Sequence, residues 1–454
     1  MKIVIAGCGK IGKTIIASLV KEKHEVVALD SDPDVVQTVV NTYDVIGICG
    51  SATDMTKLVE AEVGKAELFI AATGSDELNM LGCFAAKRLG AKHTAARIRD
   101  EDNNDEGLEF MKSQLDLSFS LNPEQLAARA IYDIIKLPSA TKVETFSSKR
   151  IEMIEIVLKP DSPLEGKTLA QIRKAAKSRF LICVVARNGK VYIPKGNFEL
   201  HSGDKVGLIT SESETHKVLG FLGETQKPIK NVMVLGAGRT SYYLAQLLLS
   251  NHFDVKLIEK QKERCAEICQ TLSGGTVING DGMSQDLLLE EGIQNTDAFV
   301  ALSGKDEENI LISFYAMSQK VPKVISKINR DELSSIAEGM GLDCIITPRK
   351  IVADVVVRYA RALQKSIGSQ VETLYSLFGG EAEALEFKVL PSFAHVSVPL
   401  KDLVFKDNVI VAGIIRGKTA IIPSGDDTIE VGDNIIVIAA GTNVYDITDI
   451  IAAR

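Results

Sequence analysis

The stretch "IVIAGCGKIG", residues 3–12, decides the fold of the N-terminal part of the chain. Its apolar start predicts a buried β-strand, and Gly7, Gly9 and Gly12 follow with the spacing of a dinucleotide-binding turn. In such a turn the first two glycines let the backbone approach a pyrophosphate, and the third lets the next helix pack on the strand. Asp30 ends the following apolar run, 23 positions after Gly7 (30 − 7), where a carboxylate is expected to bind a ribose.

An edited copy of this stretch lies in the second half of the chain. In "VMVLGAGRTS", residues 232–241, Gly236 lies 229 positions after Gly7 (236 − 7) and Gly238 follows it, but Ser241 replaces the third glycine. Correspondence at near-constant offset from end to end indicates a tandem duplication. The other matching pairs are Asp30 with Glu259, "FIAATGSDELN" (69–79) with "FVALSGKDEEN" (299–309), Arg97 with Lys327, and "IPKGNFELHSGDKVGLI" (193–209) with "IPSGDDTIEVGDNIIVI" (422–438).

Each half divides once more. Short apolar runs that alternate with longer amphipathic stretches predict a parallel sheet wound with helices, and shorter apolar segments between turns predict a small α+β domain after it. Asn122-Pro123 and Thr347-Pro348 each offer an N-cap before a proline, so each unit is expected to end in a helix. The fold class is therefore α/β, with two Rossmann-like doubly wound parallel sheets, each followed by a small α+β domain. The predicted domains are nucleotide-binding domains at 1–138 and 229–365 and small domains at 139–225 and 370–454.

Composition excludes several classes of function. The 52 basic and 60 acidic side chains give a net charge of −8, which disfavours nucleic-acid binding. No apolar run approaches the roughly 20 residues of a membrane helix, and the N-terminus turns directly into the glycine loop, so the chain is expected to be cytoplasmic. The seven cysteines and six histidines show no metal-ligand spacing, so no metal site is predicted.

The residues of the first turn predict binding of an adenosine group but do not decide which nucleotide carries it. Asp30 can accept hydrogen bonds from both ribose hydroxyls, and its charge repels a 2′-phosphate, so NAD(H), ATP and ADP all fit and NADP is disfavoured. Lys10 either reaches a further phosphate or is a solvated lysine. Thr73-Gly74 ends the fourth strand at the ligand edge of the sheet. Arg97 either acts on the ligand or binds a neighbouring carboxylate.

The second turn keeps the features that meet the phosphates. Gly236, Gly238 and Glu259 are present, and Arg239 takes the place of Lys10. Because serine is small, Ser241 is expected to loosen the helix packing only modestly. Two interpretations remain open: a site with altered affinity or ligand choice, and a vestigial element without a ligand.

No residue is predicted to carry chemistry in both halves. Tyr132-x-x-x-Lys136 has the spacing of a short-chain dehydrogenase pair, but its counterpart starts at Tyr359 and has Leu363 in the lysine position. A hydride-transferring enzyme needs a group that moves a proton to or from its substrate. The chain is therefore not expected to be an enzyme.

The order nucleotide-binding, small, nucleotide-binding, small, with "IP-x-G…GD" in each small domain, resembles the TrkA family of potassium-uptake regulators over essentially the whole chain. The resemblance implies RCK domains, self-association into a ring, peripheral attachment on the inner face of the membrane beneath an integral potassium transporter subunit of Trk type, and binding of NAD(H) and of ATP or ADP. It places these residues in the first site: Gly7, Cys8, Gly9, Lys10, Ile11, Gly12, Asp30, Thr73, Gly74, Arg97 and Ile98. It places these in the second: Gly236, Ala237, Gly238, Arg239, Thr240, Glu259, Ser303 and Gly304.

A regulator of this kind converts nucleotide identity into a change of shape, which requires different affinities for two conformations. The alternatives are a soluble NAD-dependent oxidoreductase and a ligand sensor for another transporter. Nucleotide-dependent turnover of a small substrate would distinguish the oxidoreductase from the regulator.

Overall fold

The computed structural model describes residues 1–99, 113–146, 150–223, 227–363, 369–442 and 444–452. Strands β1 to β6 are Lys2–Ala6, Glu25–Asp30, Ile46–Cys49, Leu68–Ala71, His93–Arg97 and Phe119–Leu121. They form one parallel sheet in the order β3-β2-β1-β4-β5-β6. This is the Rossmann strand order, so the predicted fold of the first unit is confirmed.

Helices lie between these strands and after them. They are α1 (Lys10–Lys21), α2 (Pro33–Tyr43), α3 (Met55–Glu60), α4 (Asp76–Leu89) and α5 (Pro123–Lys136), with a 3-10 turn at Val63–Lys65. Asn122 caps α5 as predicted, because its side-chain oxygen accepts a hydrogen bond from the amide of Gln125 at 2.9 Å.

The first small domain is an antiparallel sheet with two short helices. Its strands β7 to β11 are Lys142–Phe146, Ile151–Val157, Phe180–Arg187, Lys190–Tyr192 and Lys205–Ser211, in the order β10-β9-β11-β8-β7. Its helices are α6 (Leu169–Ala175) and α7 (Thr215–Phe221), with a 3-10 turn at Glu212–Glu214.

The second half repeats the parallel sheet. Strands β12 to β17 are Asn231–Leu235, Asp254–Glu259, Thr276–Asn279, Ala298–Ala301, Lys323–Lys327 and Ile345–Ile346, in the order β14-β13-β12-β15-β16-β17. The helices are α8 (Arg239–Ser250), α9 (Lys262–Thr271), α10 (Gln285–Glu290), α11 (Asp306–Ser318), α12 (Asp331–Gly339) and α13 (Pro348–Leu363), with a 3-10 turn at Ile293–Asn295. Thr347 precedes α13 as predicted, but its hydroxyl donates to the carbonyl of Ile328 at 2.9 Å.

The second small domain completes the duplication. Its strands β18 to β22 are Ser369–Leu377, Ala382–Val389, Val409–Arg416, Thr419–Ile421 and Asn434–Ala440, in the order β18-β19-β22-β20-β21. Its 3-10 turns are Phe378–Gly380, Leu400–Asp402 and Ile447–Ile450. Two parallel sheets, each followed by an antiparallel one, confirm the tandem fold.

The repeated Gly-Asp segment of the small domains has a structural role. The carboxylate of Asp204 is buried and binds the guanidinium of Arg187 at 2.6 Å. The buried carboxylate of Asp433 binds Arg416 in the same way at 2.8 Å. A buried carboxylate needs such a partner, which explains why both halves carry the segment.

The last helix of each parallel unit packs on the other unit. Helix α5 lies against α8, and α13 lies against α1. Each helix therefore packs against the core of the other parallel unit. The first shared core contains Ile15, Ile16 and Leu19 with Val352, Val356 and Ala360; the second contains Leu244, Ala245 and Leu248 with Ala128, Ile131 and Ile135.

Contacts between the two halves also involve the small domains. Lys323 of the second parallel unit donates to the carbonyl of Ala140, at the start of the first small domain. Lys205 of that small domain pairs with Glu338 of the second unit at 2.9 Å. Each small domain thus contacts the parallel unit of the other half.

Arg361 lies at the contact between the first parallel unit and the second small domain. It lies on α13 with a side chain that is 1% exposed. Its guanidinium binds Glu22, at the C-terminus of α1, at 2.7 Å and Glu383, on β19, at 2.9 Å, and it faces the ring of Tyr445. One buried cation therefore ties the first parallel unit to the second small domain.

No helix in the described part of the chain combines the length and the apolar character that crossing a membrane requires.

We predict that Arg361→Met lowers the free energy of unfolding by about 2–4 kcal/mol, because two partly buried glutamates lose their cation. Urea unfolding of the full chain measures the change. Lys136→Met is the control, since Lys136 is an exposed basic residue at the end of α5. Equal unfolding midpoints for the two variants would show that the ion pairs of Arg361 do not stabilise the fold.

Candidate functional site

The first glycine turn is built by contacts that exclude side chains. Gly7 has φ +96°, and a Cβ there would lie 2.6 Å from the carbonyl carbon of Ala72. A Cβ at Gly12 would lie 1.9 Å from the carbonyl oxygen of Gly7. These two glycines therefore let β1, β4 and α1 approach one another. Around a Cβ at Gly9 there is open space within 4 Å, so that glycine keeps room beside the turn for a ligand.

Asp30 is held at the same turn. Its Oδ2 accepts a hydrogen bond from the amide of Cys8 at 2.6 Å, and its Oδ1 accepts one from the amide of Asp32 at 3.0 Å. Both amides fix the direction of the carboxylate at the carboxyl end of β2. A ribose placed beside the turn would meet this charge, as the sequence predicts.

A cavity of about 810 Å³ opens at this edge of the sheet, within the range of ligand pockets. The predicted residues that line it are Gly7, Gly9, Lys10, Ile11, Asp30, Thr73, Gly74 and Arg97. The lining residues from the first half that the sequence did not point to are Leu29, Ser31, Gly50, Ser51, Ala52, Ala72, Ser75, Leu78, Pro123 and Glu124. The structure thus brings most of the residues predicted for the first site together.

Three predicted residues lie behind the cavity wall. Cys8 is fully buried, and burial together with the charge of Asp30 raises the pKa of its thiol to about 12. Gly12 packs against the turn, and Ile98 is buried with its amide bound to the carbonyl of Leu121. These positions shape the wall and do not face a ligand.

A buried asparagine positions the ends of β4 and β5. The side-chain oxygen of Asn79 accepts from the amide of Thr73 at 2.8 Å, and its Nδ2 donates to the carbonyl of Arg97 at 2.9 Å. Asn309 makes the same two bonds in the second half, with Ser303 and Lys327, both at 2.8 Å. Sequence reasoning missed both residues, although each ends a repeated segment.

Arg97 lies beside a neighbouring carboxylate, one of its two predicted roles, and lines the cavity; its action on a ligand stays a prediction. Its guanidinium contacts the carbonyl of Thr73 at 3.4 Å and lies 3.7 Å from the carboxylate of Glu124, at the start of α5. Burial lowers the pKa of Arg97. Its Nε and one carboxylate oxygen of Glu124 are buried without a hydrogen-bond partner among the described residues. The pair is therefore incompletely satisfied, and both residues lie on the wall of the cavity.

The second half closes the same cavity. Thr240, Lys327, Asn329, Pro348 and Arg349 all line it. Thr240, which the sequence placed in the second site, therefore faces the first cavity. Lys327 donates to the carbonyl of Leu302 at 3.3 Å, and burial lowers its pKa. Arg239 is near enough to lower the pKa of Arg97 further.

The charges in this cavity favour an anion. Lys10, Arg97, Lys327 and Arg349 line it, against the carboxylates of Asp30 and Glu124. Because buried charges need compensation, a ligand with several negative charges would stabilise this arrangement. The turn amides and the start of α1 add partial positive charge at the same place.

The second turn has the same backbone geometry as the first. Gly236 has φ +91°, and its amide donates to the carbonyl of Ile258 at 2.8 Å. Glu259 accepts from the amides of Ala237 and Gln261, both at 2.8 Å. Gly238 and Gly304 have open space where a Cβ would lie. Its predicted residues are thus arranged like those of the first turn.

Ser241 changes the helix contact at the second turn. A Cβ at the equivalent Gly12 would lie 1.9 Å from a carbonyl oxygen, so α8 cannot approach its turn as α1 does. The Ser241 hydroxyl is fully buried and has no hydrogen-bond partner within the described ranges. Ser241 therefore changes how α8 packs on the second turn, whereas the first two glycines of that turn are kept.

Comparison with known proteins gives the same division of the chain. The TrkA-N domain family matches residues 3–111 and 232–348. The TrkA-C domain family matches residues 153–223 and 385–452. The two domain types alternate twice along the sequence.

Whole-length relatives carry the same arrangement. A "Trk system potassium uptake protein TrkA homolog" of Archaeoglobus fulgidus is 31% identical over 451 residues, which cover 99% of this chain and 100% of that protein. The "Trk system potassium uptake protein TrkA" of Haemophilus influenzae is 28% identical over 448 residues, which cover 96% of this chain and 95% of that protein.

Solved structures share the fold. The GsuK RCK domain aligns with a TM-score of 0.62 at 16% identity, over 97% of this chain and 92% of that chain. The structure described as "GsuK channel bound to NAD" aligns with a TM-score of 0.62 at 16% identity, over 97% of this chain and 77% of that chain.

We predict that Gly12→Ala destabilises the chain by about 1–3 kcal/mol, because the new methyl group overlaps the carbonyl oxygen of Gly7. Gly9→Ala is the control, since its methyl group enters open space and its φ of −67° suits alanine. Thermal unfolding of the two variants measures the difference. Equal loss of stability in both would contradict the packing role of Gly12.

Proposed function

The chain belongs to the TrkA family, and from that premise we propose that it is a cytoplasmic regulatory subunit that controls potassium uptake by a separate membrane transporter of Trk type. The observation that carries the proposal is the cavity at the first turn, because residues of both halves line it. A ligand that binds between two units favours the relative position in which both contact it. Nucleotide binding then changes the arrangement of the units that face the transporter.

The ligand is an adenine nucleotide, NAD(H) or ATP or ADP. Asp30 is placed for the ribose hydroxyls, and the amides of the turn are placed for the first phosphates. Lys327, Arg349 and Arg97 supply positive charge for the part of the ligand beyond the turn. Of the solved structures with the same fold, one is described as a channel bound to NAD and another as GsuK bound to ADP, which supports this choice.

The positions of the tyrosines support binding without catalysis. Tyr132 is 6% exposed and packs against Phe253 in the interface between α5 and the second unit. The hydroxyl of Tyr359 bonds to Nδ1 of His93 at 3.1 Å. Both tyrosines thus belong to the contacts between the halves, away from the residues that line the cavity.

Self-association into a ring is part of the proposal. Leu81 on α4 is 53% exposed, and Leu311, at the matching position of α11, is 63% exposed. Ile336 on the neighbouring α12 and Met340, directly after that helix, are 57% and 63% exposed. Exposed apolar side chains favour association, and Leu81 and Leu311, at matching positions of the two halves, let one chain join two others. The occupant that fits these faces is a second copy of this chain, attached to the inner face of the membrane through the transporter.

We predict that Leu311→Asp combined with Ile336→Asp reduces the native assembly to smaller species, because two carboxylates would enter an apolar contact. Light scattering after size-exclusion chromatography measures the mass. Val404→Asp, at a residue of equal exposure in the second small domain, is the control. A native protein that is already a single chain would contradict the ring.

We predict that Gly9→Asp weakens nucleotide binding at the first site by at least about tenfold, because its carboxylate would stand beside the phosphates. The side chain enters open space, so the thermal midpoint should remain close to that of the unchanged chain. Calorimetric titration with NADH, ATP and ADP measures binding.

Affinity purification from gently solubilised native membranes, with NADH, ATP, ADP or no nucleotide, tests the function itself. The unchanged chain should recover a multi-spanning potassium transporter in amounts that depend on nucleotide, and Gly9→Asp should weaken that dependence. Recovery of soluble proteins alone under every condition would contradict the regulatory role.

A further inference from the structure

The two turns differ in charge directly after the strand that carries the ribose carboxylate. In the first half, residues 30–35 read "DSDPDV", with three acidic and no basic side chains. In the second half, residues 259–264 read "EKQKER", with two acidic and three basic side chains. The surrounding folds match, so the same ligand position meets opposite local charge in the two halves.

Arg264 directs its charge to the second turn. It is the third residue of α9, and its Nε donates to the carbonyl of Ala237 at 2.8 Å. Ala237 lies between the two glycines of the turn, and its amide is bound by Glu259. The guanidinium is therefore beside both the turn and the ribose carboxylate. The corresponding third residue of α2 is Val35, which packs against the first core.

Lys260 lies on the other side of Glu259. Its Nζ pairs with the carboxylate of Asp281 at 2.7 Å, in the loop after β14. Asp281 corresponds to Ser51 (281 − 51 = 230), which lines the first cavity. Lys260 therefore faces the end of the second site that corresponds to the adenosine end of the first.

The chemistry of a ribose phosphate fits this difference. A carboxylate at the end of the second strand selects free ribose hydroxyls, whereas a nearby arginine accommodates a 2′-phosphate. Charge-assisted hydrogen bonds from an arginine to a phosphate are among the stronger polar contacts. The second site combines Glu259 with two adjacent cations, of which Lys260 is paired with Asp281 and Arg264 with Glu267. In the first half, residues 30–35 contain no basic side chain.

We propose that the second site accepts an adenosine ribose that carries a phosphate, the chemistry of NADP(H), and that Lys260 and Arg264 bind this phosphate. The first site excludes such a ligand. The two turns of one chain then respond to different dinucleotide pools. This inference rests on the proposed function, because it requires that both turns bind adenine nucleotides.

The test uses the full chain with one turn blocked at a time. Gly9→Asp blocks the first turn and Gly238→Asp blocks the second, and both side chains enter open space. Calorimetric titration with NADPH and NADH then reports each site separately. We expect NADPH to bind the Gly9→Asp chain at least as tightly as NADH does. We expect NADPH to bind the Gly238→Asp chain at least about tenfold more weakly than NADH does.

Replacements taken from the first half test the two cations. In the Gly9→Asp chain, Arg264→Val should weaken NADPH binding by about tenfold or more and change NADH binding much less. Lys260→Ser, at an exposed lysine, should act in the same direction and keeps the test independent of how α9 tolerates the valine.

Three results distinguish failure of the ribose-phosphate assignment from failure of the proposed function. Equal weakening of NADPH and NADH by Arg264→Val would overturn the ribose-phosphate assignment and leave nucleotide regulation in place. Binding of NADH to the Gly238→Asp chain, with neither dinucleotide binding to the Gly9→Asp chain, would also overturn it. Absence of all nucleotide binding by the unchanged chain would remove the proposed function itself.

Discussion

The structure depends on the packing of α13 on α1 and of α5 on α8. On the face of each parallel sheet that carries α1 or α8, a further helix buries the apolar side chains, and that helix comes from the other half. Buried apolar contact is the main favourable contribution to folding, so neither half completes its core alone. The duplication is therefore more than a repetition of sequence, because the two copies form one interdependent unit.

This exchange also determines the composition of the first cavity. Helices α5 and α13 begin at Pro123-Glu124 and Pro348-Arg349, and both starts line the cavity together with Lys327. A ligand there touches residues that follow the motion of either unit. Since a ligand shifts a conformational equilibrium only through unequal contacts in its two states, a cavity shared by two units is suited to regulation. A site enclosed by one unit would bind its ligand without sensing the other.

Local patterns in the sequence predicted the local part of the site. Gly7, Gly12 and Asp30 act within one strand-turn-helix-strand segment, so their spacing predicts the contacts that the structure has. The contribution of Arg349 and Thr240 to the first cavity depends on the exchange of helices between halves, which no spacing within one half expresses. Asn79 and Asn309 could have been found, since both repeated segments end in asparagine where two strand ends need a shared hydrogen-bonding side chain.

The two turns diverge because they experience different constraints. At Gly12 the helix and the turn are in contact, so any side chain would separate them, whereas Ser241 is accommodated by a helix that lies differently. Arg264 replaces an apolar residue beside the second turn, and Ser303 keeps the bond to Asn309 that Thr73 makes to Asn79. The hydrogen bonds that hold the strand ends are thus preserved, whereas the helix contact at Ser241 and the charges beside the turn differ. Such a distribution of changes is expected when two sites share a fold and differ in what they bind.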